Sequence, residues 1–475
     1  MKAKFSRHIS NKKELLKRMI SELSQDFKYV SVLATDVQGK RYEKDFSTSN
    51  VADIMIFERG FVARVYNGAC YSEYSFDVID ESNYEKIKLS IKELAQKDTE
   101  FYKSANVEIT QYPIISEEKI VKCKCFELDD KELTPKQIMQ EMNDCIDKAK
   151  EYSDLLVNAS IRYENAHISK AFYSVNKELE QAYVFSTAMF IPFVMRDDKL
   201  KYAYNSQSSQ SLYESLEKVK ADYKKTIDIA IQMLDATPVE PGEYDVICDP
   251  DVAGLIAHEA FGHGVEMDMF VKNRAKGGEY INKYVASEKT IMHDGASSAV
   301  DVASYLFDDE GTLGGDTIVI DDGILKAGIS DLLSAMQLGT VPTGNGRRES
   351  FERKAYARMT NTFFAPGNDD LDDMIASIKN GYLLESYDSG MEDPKNWGIQ
   401  CMISRGREIV DGKLTGKVVG PILLSGYVPD ILKSISMVSN SELETAGGGY
   451  CGKGYKEFVK TSIGGTYLKA KARLG

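Results

Sequence analysis

The run His258-Glu259-Ala260-Phe261-Gly262-His263 sets two imidazoles and a carboxylate within six positions of a chain that holds only five histidines. Neutral imidazole is a frequent zinc ligand, and a carboxylate beside a bound ion is placed to take a proton from water. The pattern His-Glu-x-x-x-His is therefore that of a candidate metallohydrolase centre. In the commoner zinc-peptidase pattern the histidines stand four apart, only about 40° apart around a regular helix. Histidines five apart, as here, are separated by roughly 140° on an undistorted helix and do not face one ion. The spacing predicts a π-bulge, with its wider turn, or a helix that ends between the two. Gly262, with no side chain to oppose unusual backbone angles, is expected to ease such a distortion. Without it, the same residues would be histidines packing or capping at a helix end, with Glu259 solvated.

An open zinc site needs a third protein ligand. Candidates are Cys451, Glu266, Asp268, His293 and the other cysteines. Local context favours Cys451. It lies in Ala446-Gly447-Gly448-Gly449-Tyr450-Cys451-Gly452-Lys453-Gly454, where five of nine residues are glycine. Such backbone permits tight turns and close approach, and Lys453 is expected to favour a thiolate. The alternative is a small buried cysteine in a glycine-rich turn. A phosphate-binding loop is only weakly supported, because Lys453 is followed by glycine rather than serine or threonine.

Several segments in order resemble the TldD/PmbA family of metalloproteases, in particular its catalytic, TldD-like members. They are Gly254-Leu255-Ile256-Ala257-His258-Glu259-Ala260-Phe261-Gly262-His263-Gly264 with Glu266 and Asp268, then Asp308-Asp309-Glu310-Gly311-Thr312. Thr343-Gly344-Asn345-Gly346-Arg347-Arg348, Arg358-Met359-Thr360-Asn361-Thr362 and Gly449-Tyr450-Cys451-Gly452-Lys453 follow. The resemblance covers residues 240 to 475 and is fainter through the N-terminal half. It implies that His258, His263 and Cys451 bind Zn2+ and that Glu259 is the general base. Two departures bear on substrate preference and leave the metal chemistry alone. Lys354-Ala355-Tyr356-Ala357 stands where relatives tend to have prolines, and Ile399-Gln400 where an aromatic is usual.

The leading expectation is thus a zinc-dependent peptidase. Zinc lowers the pKa of a bound water and polarises the substrate carbonyl, while Glu259 takes the water's proton and passes it to the departing amine. The resemblance implies unfolded or extended peptides as substrates, taken into the cavity of a homodimer or of a heterodimer with a non-catalytic relative. An exposed strand edge suits such a ligand, since main-chain pairing is insensitive to sequence. A second reading is a non-catalytic peptide-binding or partner subunit whose metal is structural; the intact Glu259 argues against it. A third is a cysteine-dependent enzyme using Cys451 with a histidine.

Composition narrows the class. A chain of 475 residues is too long for one compact core, and its 43% hydrophobic and 28% charged content is ordinary for a globular protein. Net charge of −14, with no basic block, makes nucleic acid and anionic membrane poor partners. The longest apolar stretch, near Ala188 to Met195, is too short to cross a bilayer. The N-terminus lacks the apolar run of a secretory signal, and seven scattered cysteines do not form a disulfide framework. A cytoplasmic location with reduced thiols is expected.

The elements that must position these residues read as an α+β chain of two domains. Residues 1–237 are expected to form an α/β N-terminal domain, and 238–475 a β-rich mixed catalytic domain carrying the metal helix. Amphipathic periodicity predicts helices over Asn11 to Phe27 and Ser211 to Leu234. Ser82 is expected to cap a helix carrying Tyr84 to Leu94, and Thr134-Pro135 to open one through Ala149. Tyr29 to Ala34, Val51 to Phe57 and Phe61 to Tyr66 are strand-like. Leu156 to Tyr163, Ile168 to Val175 and Ala182 to Met195 read as three strands of a meander. Asn67-Gly68, Asp322-Gly323 and Asp411-Gly412 are hairpin turns. Thr237-Pro238 and Pro241-Gly242 mark the domain boundary, and Tyr244 to Cys248 is a strand feeding the metal helix.

Overall fold

Strand-forming runs between Val30 and Ser209 assemble into one nine-stranded sheet, in which only Ile120–Cys125 runs parallel to its neighbour. The computed structural model describes residues 2–104, 111–128, 133–454 and 457–475. Helix makes up 25% of the structure and strand 41%, a mixed α+β chain. The helix Arg7–Leu23 begins earlier than its apolar periodicity suggests, because the Ser6 hydroxyl accepts from the Ile9 N–H and caps it. Thr134 and Gln137 form the capping box of helix Pro135–Lys150. Ser82 has no capping role; its hydroxyl donates to Asp80 at 2.5 Å.

Two expectations for this half are corrected by how the elements pack. The three strands of the expected meander are two, Leu156–Ser174 and Lys177–Arg196, joined as a hairpin. The polar run at Glu164 and Asn165 does not break the strand, because both side chains are satisfied from neighbouring elements. Lys460 donates to Glu164 at 2.7 Å, and the Lys40 N–H donates to Asn165 at 3.3 Å. The single long helix is two, Glu214–Ala221 and Tyr223–Met233, separated at Asp222. The break lets Leu216 and Val219 on one piece and Ile227 and Ala230 on the other bury against the same sheet with Phe190.

From Gly242 onward the chain builds a seven-stranded and a six-stranded sheet. The strand Gly242–Cys248 lies between Asn380–Asp393, to which it is parallel, and the antiparallel Leu468–Leu474. Asp322-Gly323 and Asp411-Gly412 turn as expected, with φ of 47° and 78° in the first pair and 48° and 75° in the second. The segment Asp308-Asp309-Glu310 and Arg348 join this half to the N-terminal sheet. Arg64 donates to Glu310 at 2.6 Å, Lys170 pairs with Asp309, and Arg348 donates to Glu73 at 2.5 Å.

The strand Gly242–Cys248 leads directly into the segment that carries the histidines. Asp249 caps the helix Pro250–Leu255, accepting from the Val252 N–H at 2.8 Å, and Pro250 occupies its first turn. The helix then widens into a π-turn over Ile256–Gly262 and tightens into a 3-10 turn over His263–Val265. Within it the His263 N–H reaches back to the His258 carbonyl, the five-residue step of a π-turn. The angular problem posed by the histidine spacing is solved in this way.

Gly262 is required there for a different reason from the one its position suggests. Its φ of −58° is ordinary right-handed helix, open to any residue. A Cβ at this position would stand 2.1 Å from the Met359 sulfur and 3.2 Å from the Ala257 carbonyl oxygen. Gly262→Ala is therefore expected to destabilise the fold by about 1–3 kcal/mol through overpacking. Denaturant unfolding checks this, and an unchanged midpoint would show that Met359 moves aside freely.

Candidate metal centre

The π-turn brings the two imidazoles together edge to face, with ring centroids 5.0 Å apart and planes nearly perpendicular at 81°. Cys451 comes from a distant hairpin, Tyr450–Lys453 paired with Glu457–Lys460. Its sulfur lies 3.5 Å from His263 Nε2. One ligand atom from each of His258, His263 and Cys451 falls within 4.8 Å of the others, the one such convergence of three or more potential ligands among the described residues. Zinc bonds of about 2.0–2.3 Å place tetrahedral ligand atoms roughly 3.3–3.6 Å apart, so the Cys451–His263 contact already has the needed span.

The donor chemistry fits a soft-to-borderline cation. Burial would raise the Cys451 thiol, but His263 and His258 beside it hold it well below the usual thiol range, favouring thiolate. Burial opposes a charge on His263, and the Cys451 sulfur and Glu266 outweigh that effect and raise it. His258 Nδ1 is buried with no hydrogen-bond partner among the described residues. An unspent nitrogen of this kind costs free energy where it stands, and it suits a ring that binds an ion.

The other sequence candidates lie outside this cluster. His293 pairs with Asp316 at 2.8 Å and stacks on Phe363. Asp268 is engaged by Lys453 at 2.6 Å and Lys272 at 3.2 Å. Glu266 sits behind His263, 3.3 Å from Nδ1, leaving Nε2 toward Cys451. A carboxylate on the far imidazole nitrogen fixes ring orientation and tautomer, as in outer shells of zinc sites. All seven cysteines are free thiols.

Around Glu266 lies a network that local sequence reading missed. Burial alone would raise its carboxyl, yet Lys453 and His263 pull it down to about 2. Lys453, expected to act on the thiol, instead donates to Ala357 O at 2.9 Å and pairs with Glu266 at 3.0 Å. The buried Arg358 guanidinium donates to the Cys451 carbonyl at 2.5 Å and the Glu457 carbonyl at 3.1 Å. The two ligand-bearing segments are thus tied to each other behind the ligands. On the opposite side, the N-terminal sheet grips the hairpin, with Tyr450 and Lys460 donating to Glu164 at 3.1 Å and 2.7 Å.

Glu259 lines the same cavity of about 350 Å³ as His258, His263 and Cys451, beside Tyr387 and Gly390. Its side chain lies so close to strand Asn380–Asp393 that a Cβ on Gly390 would stand 2.5 Å from its Cγ. Nearby, both carboxyl oxygens of Glu392 are buried without a partner among the described residues, and burial raises that carboxyl well above its usual range. The arrangement gathers two imidazoles, a thiolate and a free carboxylate around one cavity, a set suited to metal-assisted hydrolysis.

Comparison with known proteins agrees with this chemistry. Residues 241–469 match the PmbA/TldA metallopeptidase C-terminal domain. A zinc metalloprotease TldD homologue of Saccharolobus solfataricus is 30% identical over 324 residues, 66% of this chain and 70% of that protein. A metalloprotease of Methanocaldococcus jannaschii is 34% identical over 242 residues, 50% of this chain and 52% of that protein. The chain thus spans about half of one curated relative and a little over two thirds of the other. In fold, TldE from Thermococcus kodakarensis superposes with a TM-score of 0.75 at 16% identity, covering 97% of this chain and 99% of that one. These matches, with the ordered segments that carry them, make the chain a member of the TldD/PmbA family of metalloproteases.

Proposed function

We propose that the protein is a zinc-dependent peptidase that hydrolyses unfolded or extended peptides. The observation that carries this reading is the convergence of His258, His263 and Cys451 on a cavity that Glu259 also lines. His258, His263 and Cys451 would hold a zinc ion, which would supply a Lewis acid for the peptide carbonyl and for water. Glu259 accepts the proton of the attacking water and returns it to the departing nitrogen. Glu266 holds His263 in the orientation that presents Nε2 to the centre.

The preference for extended substrates rests on a free strand edge. Strand Asn380–Asp393 pairs along one side with Gly398–Val410. On the other it pairs with Asp245–Cys248 as far as Leu384, and the Asp249 side chain and the Tyr204 hydroxyl then take the backbone groups of Ser386 and Tyr387. Beyond Tyr387 no strand pairs with that side among the described residues. Ser389 and Gly390 of this open stretch line the cavity, next to Tyr387. A peptide added there would be held by main-chain hydrogen bonds and read with little regard to side chains. The proposal includes a dimer, with a second copy or a non-catalytic relative, as the resemblance implies.

The test is cleavage of an unstructured fluorogenic peptide by the full chain in its native assembly. Chelation should abolish turnover and added Zn2+ restore it. A tightly folded protein of similar composition should resist. Cleavage that survives chelation but not thiol alkylation would replace this reading with a cysteine-dependent one.

A further inference from the structure

The cavity is lined by a tyrosine that the chemistry above leaves unused. Tyr387 lines it together with His258, Glu259, His263 and Cys451. The hydrogen bonds of Tyr387 among the described residues are both made by its backbone: its N–H donates to the Tyr204 hydroxyl at 3.1 Å, and that hydroxyl donates to its carbonyl. The phenol itself has no hydrogen-bond partner there. The other tyrosine of the cavity, Tyr450, has its hydroxyl committed to Glu164.

The backbone at Tyr387 is built to aim it. Ser386, immediately before, has φ of 57°, a left-handed conformation rare for a residue with a side chain. Its N–H donates to the Asp249 cap at 3.1 Å. The register slips there, with Tyr387 opposite Ile403 but Ser389 opposite Met402. A bulge of this kind re-aims a side chain at the cost of a broken ladder. Here it lets Tyr387 and Gly390, three residues apart and on opposite faces of a regular strand, line one cavity. Backbone strain held by contacts from two other elements is characteristic of working sites.

Resting on the peptidase reading, we propose that Tyr387 is a catalytic residue whose phenol O–H donates a hydrogen bond to the scissile carbonyl oxygen as it becomes negative. When water adds to the carbonyl carbon, a C–O bond forms and the carbonyl π pair moves onto that oxygen. One water proton passes to Glu259, while Tyr387 keeps its own. As the carbonyl reforms, the C–N bond breaks, its pair stays on nitrogen, and the proton on Glu259 goes to that nitrogen. The products are a carboxylic acid and an amine. Burial, with the Asp251 and Glu259 carboxylates, pushes the phenol above its usual range, so it remains a neutral donor throughout.

Tyr387→Phe tests this, because it keeps the ring and removes only the donor. In the zinc-loaded protein, kcat on an unstructured peptide should fall about a hundredfold to a thousandfold, as for loss of one oxyanion donor, with KM little changed and zinc content full. A second readout is calorimetric binding of a phosphinic peptide, whose anionic oxygen imitates the tetrahedral species. Its affinity should fall by a similar factor, while a product peptide of the same sequence binds as before. Turnover within threefold of the wild type, or equal loss of both ligands, would overturn the role of Tyr387 and leave the peptidase reading standing. A wild-type chain that neither cleaves nor binds the phosphinic peptide would remove both.

Discussion

Serine in place of Cys451 is expected to abolish tight zinc binding. The hydroxyl nearly matches the thiol in size, so the buried hairpin should close as before. It is not deprotonated near neutral pH, however, and the site would be left with two neutral imidazoles. We expect affinity to fall by more than about a hundredfold, exceeding the loss typical of an outer-shell partner. The effect should also register as stability. Zinc at about a hundred times its Kd stabilises the native state by about 2.7 kcal/mol, a gain the variant should largely forgo at the same zinc concentration. Competition with a chromophoric chelator and thermal melts with and without metal measure the two effects. Full zinc content at unchanged affinity would remove Cys451 from the ligand set.

Glu259→Gln separates chemistry from binding. The amide has nearly the volume of the carboxylate, and that matters against a strand packed so closely that Gly390 has no room for a Cβ. Metal content and melting temperature should therefore match the parent. Peptide hydrolysis should fall by about a hundredfold to ten-thousandfold, the usual worth of general-base assistance. Loss of metal from this variant would make Glu259 a support of the ligand shell. Cleavage near the parental rate would direct attention to Glu392, whose carboxyl is buried near the centre without a hydrogen-bond partner among the described residues. The hydrolysis assay uses the native assembly, so that under the proposed dimer a missing partner is not read as an effect of position 259.

How much of this was legible in the sequence follows from the range over which each feature is encoded. The backbone distortion at His258 to His263 was readable because it is local: angular arithmetic on five-residue spacing leaves few solutions, and a π-turn is one of them. The helix cap at Thr134 and the two Asp-Gly turns are equally local. The pairing of Glu266 with His263 was not readable as such, because the same carboxylate three residues on is also a plausible ligand. Only the approach of Lys453 and Arg358 from other segments assigns it. Gly262 was noticed for the wrong property: what matters is the Met359 sulfur against it. The bulge that turns Tyr387 inward depends on Tyr204 and Asp249, and no periodicity within one strand reports such partners.

The distance along the chain between His263 and Cys451 has a consequence in time. They are separated by 188 residues, and the strand that pairs with the cysteine runs on to Lys460. Synthesis proceeds from the N-terminus, so a growing chain carries both histidines and Glu259 long before it carries the thiol. Two imidazoles without a thiolate make a weak metal site, and Arg358 has no hairpin carbonyls to hold. In the proposed peptidase, the hydrolytic centre therefore cannot arise on an unfinished chain, which is itself an unfolded polypeptide of the kind the enzyme would cut. A break anywhere between the two segments that lets the hairpin come away would disarm the protein in the same manner. On the proposed reading, the ligand order along the chain would act as a safeguard, arming the enzyme only after Lys460 has been added and the hairpin has folded back.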